Sequence, residues 1–346
     1  VTVAAQNDYK ARLRSTASAH RVLSVYGCTN LSFQGLRYES NSSAPTTGGS
    51  EYLVHVSAAT GPSTDIEFKN CIFGDSYYQD TIKVNGTGVT RIYFRGCIYF
   101  NNNPGVNIFD INTVTNVDIE DSIFFQDYAG SGRGTVGIGT GSGAKGMILI
   151  KNSGSTQVSQ TFNIRRNVFF SYQGASDYGF IQLGEDDNAF YEVTDCTIEN
   201  NLFISDQSSR ILGVLGIKDC RQILYRANTQ VGNMNVGSFG VAGFFTKQTG
   251  TFTNPGCDDL RFFNNIWADN TGNMVKFSAG DPADTTNLQT DNNVYWNNGS
   301  AIPNGGRVLE ASMDSNAILT DPALPNVPSS IQYPRWNNST NHFPSG

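Results

Sequence analysis

The sequence predicts an all-β, three-sided β-solenoid. Three observations predict it: a recurring phrase, the spacing of that phrase, and the composition. The phrase runs apolar-polar-apolar, turn, aliphatic-aromatic, as in CTIENNLFISD at residues 196–206. Its turn position falls at Leu36, Cys71, Cys97, Ser122, Asn167, Asn201, Asn228, Asn265 and Asn293; the shortest separation, Cys97 to Ser122, is 25 residues and the longest, Ser122 to Asn167, is 45. The short periods match one turn of a three-sided solenoid, and the long ones add a loop on one side. A chain with 38% hydrophobic and 15% charged residues and 36 Gly is turn-rich and able to build a large core, unlike a disordered one.

Taken in order, residues 1–20 are expected to be a cap or first coil, with a short helix in the stretch after Asn7 and Asp8. Coils occupy residues 21–317. Residues 318–346, rich in Pro and Asn, read as an extended C-terminal tail that covers the open edge of the last coil. Residues 1–346 make a single domain. Within a coil, the residues five and three before the turn are apolar around a polar one (Ile66 and Phe68, Ile92 and Phe94, Val117 and Ile119, Leu260 and Phe262), which is a strand with one buried face.

The residue after the turn (Ile72, Ile98, Ile123, Val168, Leu202, Ile266, Val294) is expected to stack as an aliphatic column in the core. The next (Tyr38, Phe73, Tyr99, Phe124, Phe169, Phe203, Trp267, Tyr295) forms an aromatic column. Asn at five consecutive corners, from Asn167 to Asn293, suits a left-handed corner and a ladder of side-chain amides. Cys71 and Cys97 share a corner on adjacent coils, about 5 Å apart by strand spacing. A disulfide is within reach, and two stacked free thiols are the plainer alternative.

A net charge of −7, a pI near 5.0 and the lack of a Lys/Arg cluster argue against a nucleic-acid partner. No apolar run reaches the roughly 18 residues of a membrane span, and no leader pattern precedes Val1, so a soluble chain is expected, one whose leader has already been removed if it is exported. The six cysteines show neither C-x-x-C pairs nor zinc-ligand spacing with the histidines.

The repeated phrase resembles that of the right-handed parallel β-helix proteins, the superfamily of pectate lyases, polygalacturonases, alginate epimerases and many phage tailspikes. The resemblance covers roughly residues 21–317, and NNIWADN, NNVYWNN and the following LTDPAL are similar to the closing coils of secreted bacterial members. It implies a right-handed parallel β-helix of about nine or more coils, a secreted or cell-surface setting, and a substrate groove along the outer face of one sheet. The strands of that sheet are LVHVS, TIKVN, IFDIN, ILIKN, FIQLG and MVKFS. With their aliphatics inward, His55, Lys83 and Asp110 face outward on successive coils, followed by Gln182 and Lys276. Such a ladder is placed for proton transfer next to a uronate carboxylate; a solvated polar face is the alternative, because outward strand residues are polar anyway. A slip of one residue would remove it.

The longest insertion, Gly-rich DYAGSGRGTVGIGTGSGAKG, brings Arg133 and Lys145 toward the sheet, which suits an anionic polysaccharide. Exposed Tyr77, Tyr78 and Tyr128 suit stacking on sugar rings. Glu185, Asp186 and Asp187 are the densest acidic cluster, and the resemblance to Ca²⁺-using polysaccharide lyases makes them candidate ligands for Ca²⁺, the one cofactor expected; a solvated acidic turn is the alternative. The paired Asp, Gly-His-Gly and Arg-x-Lys of polygalacturonases, the Asp-Pro-His-Glu of alginate epimerases and the Arg-x-Pro-x-x-Arg of pectate lyases are all absent. The expected function is a polysaccharide lyase that cleaves a uronate-containing polymer by β-elimination. Lys83 is the expected base, assisted by Asp110, His55 or Arg133, with Lys145, Gln182 and Lys276 on the substrate. The alternatives are a glycoside hydrolase pairing Asp110 with Asp80 or Glu185, and a non-catalytic glycan-binding, adhesin or tailspike-like solenoid.

Overall fold

The computed structural model describes residues 1–7, 9–15, 21–40, 52–76, 79–102, 106–126, 146–153, 158–172, 179–205, 213–232, 240–303 and 308–324. The chain winds as a right-handed parallel β-helix with three sheets. In chain order within a coil, the first sheet contains nine strands among the described residues, including Val54–Ser57, Ile82–Asn85 and Phe109–Asn112. The second contains ten, including Ser63–Lys69 and Val89–Arg95, and the third ten, including Ile72–Gly74 and Ile98–Phe100. The coil that precedes the recurring phrase is N-terminal: Thr2–Ala4 pairs with Thr29–Gln34, and Arg12–Arg14 with Arg37–Glu39. The latter replaces the expected capping helix. The free edge of Arg37–Glu39 offers Arg12–Arg14 a hydrogen-bond ladder, and Arg12 adds a 2.5 Å ion pair to Glu39. At the other end Ile318 still pairs with Val294, and residues 325–346 of the expected tail lie outside the described residues.

Between the second and third sheets the two corner residues divide the work. The first is left-handed: Gly35, Asn70, Gly96, Asp121, Arg166, Asn200, Ala227, Asn264 and Asn292 have φ between 50° and 65°. The second, the turn position itself, is buried and carries the ladder. Asn in an NN pair therefore serves two purposes, and the left-handed residue is the one before the ladder Asn. Each ladder Oδ1 accepts the backbone N–H of the preceding corner, as from Asn167 N to Asn201 (2.9 Å), Asn201 N to Asn228 (3.0 Å) and Asn228 N to Asn265 (3.0 Å). Each Nδ2 donates to a carbonyl of the preceding coil, as Asn201 does to Ile164 O (2.8 Å). Cys97 and Cys71 donate weakly to the equivalent carbonyls, Phe68 O (3.5 Å) and Phe33 O (3.4 Å), so the thiols stand as short rungs; both are free.

A second left-handed residue bends each long strand of the second sheet: Asn30, Asp65, Arg91, Asn116, Thr161, Asp195, Gln222, Asp259 and Asn287, with φ between 51° and 63°. Ala227 is a corner residue with a Cβ but neither a glycine's freedom nor a polar side chain, such as the Asn and Asp corners and Arg166 have, and it is exposed. Ala227→Asn should raise stability by about 1 kcal/mol, because the left-handed region costs an ordinary L-residue about that much. A urea midpoint that stays put or falls would contradict this.

The aromatic column stands inside, each ring 0–1% exposed. Tyr38, Phe73, Tyr99, Phe124, Phe169 and Phe203 stack face to face at 4.5–5.1 Å. Gln230 takes the next place, and Tyr225 from the second sheet bridges the gap, 6.3 Å from Phe203 and 6.3 Å from Trp267. The aliphatic column, expected in the core, faces outward. Strand alternation allows only every second side chain inside. The ladder residue and the aromatic occupy those places, so Ile72, Ile98, Ile123 and Val168 lie outside and pack with Phe100, Phe125 and Phe170 in a separate ridge. Gly74 is required there, since a Cβ would lie 2.1 Å from the Phe100 ring.

Candidate functional site on the first sheet

The first sheet brings Ser24, His55, Lys83, Asp110, Leu149 and Gln182 into one row across neighbouring strands. Their strand neighbours Val54, Val56, Ile82, Val84, Phe109 and Ile111 are 0% exposed and fill the core, so the row faces outward. Lys83 Nζ ion-pairs with Asp110 Oδ2. His55 does not join them: its Nδ1 meets Tyr26 Oη at 2.7 Å and its Nε2 meets Asn85 Oδ1 at 2.6 Å. Gln182 donates to Gly184 O at 3.0 Å, tying down its own strand end.

Lys276 lies outside the row. The last strand is Ser278–Gly280, and Ala279 takes the place beside Phe244. The apolar stretch MVKFS is set three residues earlier than the row requires, because Phe277 is drawn into the core, with its ring edge-on to Trp267 at 5.3 Å. It occupies the buried position that Phe180 and Met147 fill two residues before the row.

Sequence reasoning overlooked a second outward row, Tyr26, Ser57, Asn85, Asn112 and Lys151. The signal was present: the last residues of VHVS, IKVN, FDIN and ILIK follow the first row at a spacing of two. Lys151 Nζ contacts Glu185 at 2.7 Å and Asp186 at 3.5 Å. Burial would lower its pKa, but the hydrogen bond and charge of Glu185, with Asp110 and Asp186 behind it, raise it overall.

Behind Lys83 and Asp110 sits Asp80, 7% exposed, whose Oδ1 accepts the Asn107 N–H at 2.7 Å. Burial, then the charge of Asp110, pushes its pKa up to about 6, against the pull of Asn107 and Lys83. Asp110 Oδ1 is buried and accepts no hydrogen bond among the described residues, so the carboxylate is held from one side, by Lys83 on Oδ2. Glu192, fully buried, accepts the N–H groups of Glu185 (3.0 Å) and Asn152 (3.1 Å); burial nevertheless raises its pKa to about 8.

Glu185 and Asp186 close on Lys151, while Asp187 turns to another loop. Glu185 pairs with Lys151, Asp186 accepts Ser153 Oγ at 2.6 Å, and Asp187 caps a separate loop through Thr251 N (2.5 Å) and Asn254 Nδ2 (2.9 Å). Among the described residues no three His, Cys, Asp or Glu side chains gather where a metal ion would fit. Two of the carboxylates are taken up by Lys151 and the third by the loop at Thr251 and Asn254, so the arrangement does not fit a Ca²⁺ cage. Beside it lies a cavity of about 400 Å³ lined by Ser153, Asp186, Asp187, Asn188, Ala189, Phe190 and Phe252. Phe252, 55% exposed, offers a flat apolar face among polar groups. Arg133, Lys145, Tyr77, Tyr78 and Tyr128 lie outside the described residues.

No family model matches the chain, and no curated protein matches it in sequence. Among solved structures it is similar to PfbA, a surface adhesin of Streptococcus pneumoniae, with 11% identity, 84% of this chain and 71% of that one covered, and a TM-score of 0.53. It is also similar to the tailspike of E. coli bacteriophage HK620 in complex with a pentasaccharide (13% identity, 84% and 47% covered, TM-score 0.39), and it spans about half of that chain. A third is a pectate lyase from a Bacillus species in complex with trigalacturonate (14% identity, 91% of both chains covered, TM-score 0.43). At these identities the likeness concerns the fold. No helix among the described residues is long and apolar enough to cross a membrane.

Proposed function

We propose that the protein acts outside the cell or at its surface on an acidic polysaccharide, which lies along the first sheet and is cleaved by β-elimination. The Lys83–Asp110 pair carries this reading: a cation held in place by a carboxylate on a stiff outward sheet. A uronate carboxylate brought against Lys83 would have its charge steadied as the neighbouring carbon loses a proton. As an ammonium ion-paired to Asp110, Lys83 is the charge stabiliser of this scheme, and the base is sought elsewhere. Phe252 and its cavity supply a surface for a sugar further along the chain.

Wild-type protein incubated with a panel of polyuronates, with and without added Ca²⁺, is expected to release products absorbing as unsaturated uronates. Lys83→Met should lower kcat/KM by about 10²–10³-fold, the typical loss on removing one such stabilising donor, with the melting temperature as a control for folding. Absence of new absorbance across the panel overturns elimination. Binding that persists without turnover, and survives Lys83→Met, would make the protein a glycan-binding solenoid.

The raised pKa of Asp80 supports a second reading. Two neighbouring carboxyls, one holding its proton up to about pH 6 and the other ion-paired to lysine, are the separation of roles that glycoside hydrolysis uses. New reducing ends without the absorbance would select it.

A further inference from the structure

We infer that Tyr26 is the proton-transferring group of the first sheet, a phenol set between a guanidinium and an imidazole; its substrate would be the uronate unit of the elimination proposed above, on which this assignment rests. Tyr26 stands in the second outward row, half-buried, beside Ser57 and one strand from His55. Arg21 Nη1 donates to Tyr26 Oη, and its guanidinium lies 5.6 Å from the Tyr26 ring centre and 5.8 Å from that of Tyr52. On the other side Tyr26 Oη is 2.7 Å from His55 Nδ1. The His55 ring is held edge-on to Tyr26 with centres 5.1 Å apart, and Tyr52 lies 5.1 Å away.

The proton positions follow from the far side of the imidazole. Asn85 Oδ1, 2.6 Å from Nε2, can only accept, so Nε2 carries the ring proton. Nδ1 is then a bare acceptor, and the hydrogen between it and Tyr26 belongs to the phenol. The phenol oxygen thus gives its proton toward a base while a cation donates to it, which is the geometry a proton relay needs.

The protons balance over one turnover. Tyr26 passes its proton to His55, and the phenolate takes the proton from the carbon next to the uronate carboxylate. The C–H pair becomes the new C=C bond, and the glycosidic C–O bond breaks. Tyr26 then gives its proton to the leaving oxygen and recovers the one held by His55, so both groups end as they began. Lys83, on the strand after His55, lies on the same outward face to steady the carboxylate.

Two measurements test this. In the ¹⁵N spectrum of the wild-type histidine rings, His55 should show the Nε2–H tautomer with a bare Nδ1, and the Nδ1 signal should move in Tyr26→Phe. An Nδ1–H tautomer reverses the direction of the Tyr26 hydrogen bond and overturns the relay, whether or not a substrate has been found. Tyr26→Phe keeps the ring and removes the oxygen. It should lower kcat about 10²–10⁴-fold, the usual worth of a positioned acid-base group, with KM within a few-fold and the melting temperature held. Wild-type turnover in Tyr26→Phe overturns the assignment while leaving the elimination reading intact. Absence of turnover by wild-type protein overturns that reading, and the tautomer still decides the relay.

Discussion

Asn228→Ala should unfold about 3–5 kcal/mol more easily than the wild type, the largest single-residue effect expected outside the groove. Asn228 is 1% exposed, and its amide works in both directions. Oδ1 accepts Asn201 N and Asn201 Nδ2, each at 3.0 Å, while Nδ2 donates to Ile198 O at 2.9 Å and to Asn265 Oδ1 at 3.3 Å. Truncation leaves a buried N–H and a buried C=O without partners, at about 1–3 kcal/mol each, and adds a small cavity. The ladder ends differently. Asp314 takes the final rung and accepts from Asn292 N (3.1 Å), Asn293 N (3.0 Å), Asn293 Nδ2 (2.8 Å) and Tyr295 Oη (3.1 Å). An interior rung must donate and accept, whereas a terminal rung surrounded by donors need only accept, which a carboxylate does best. Asp314→Asn therefore should also destabilise, by about 1–3 kcal/mol, because its NH₂ would face an N–H. Denaturant unfolding of both variants checks the pair of effects; an Asn228→Ala midpoint equal to wild type would remove the ladder as a source of stability.

The protein should be more stable at pH 5 than at pH 8. Burial holds three carboxyls above the range they have in an unfolded chain: Glu192 at about 8, Asp80 at about 6 and Asp219 at about 6. A group whose pKa is raised by folding binds its proton more tightly in the native state. Its contribution is complete below the unfolded pKa, near 4, and is lost as pH rises through the folded value. The two aspartates lose theirs by about pH 6, and Glu192 continues to about pH 8. At the acid end the order reverses. Hydrogen bonds from Asn293, Asn316 and Tyr295 outweigh burial and lower the pKa of Asp314, and the Arg166 hydrogen bond lowers that of Asp121, so their contributions are lost only as pH falls below the usual carboxylate range. The stability maximum is placed near pH 4–5, with about 2 kcal/mol or more lost by pH 8. Thermal unfolding across pH 3–9 measures it, and a rise in melting temperature from pH 5 to pH 8 contradicts the assignment. Glu192→Gln cannot serve as a neutral control, because an amide NH₂ would face the N–H of Asn152 or Glu185.

The residues that repeat and those that do not were legible to different degrees. The aromatic row was plain, because rings of one size at one place in the phrase can be satisfied only by stacking. The ladder amides were equally plain, though their left-handed neighbours were credited to the wrong Asn. Ile72 and its equivalents were misread because hydrophobicity alone does not tell an inner face from an outer one; the alternation with Phe73 and Cys71 does. His55, Lys83 and Asp110 were correctly phased, since the valines and isoleucines around them fix which way they point. Lys276 was not, because MVKFS alternates as well as a strand does while Phe277 is held elsewhere.

Sequence alone determined the architecture: one coil per phrase, three sheets, an amide ladder and a stacked aromatic row. All of these follow from local alternation repeated at a period, which a chain cannot satisfy in any other compact way. Only the tertiary structure decided which polar groups meet. Lys83 could have faced His55 or Asp110, being one strand from each, and it chose Asp110, while His55 turned to Tyr26 and Asn85. Glu185, Asp186 and Asp187 are adjacent in the chain, yet the first two meet Lys151 and the third a different loop. A strand's alternation sets the face a side chain leaves from; its partner depends on rotamer, charge and the neighbouring coil, and those come together only when the coils stack.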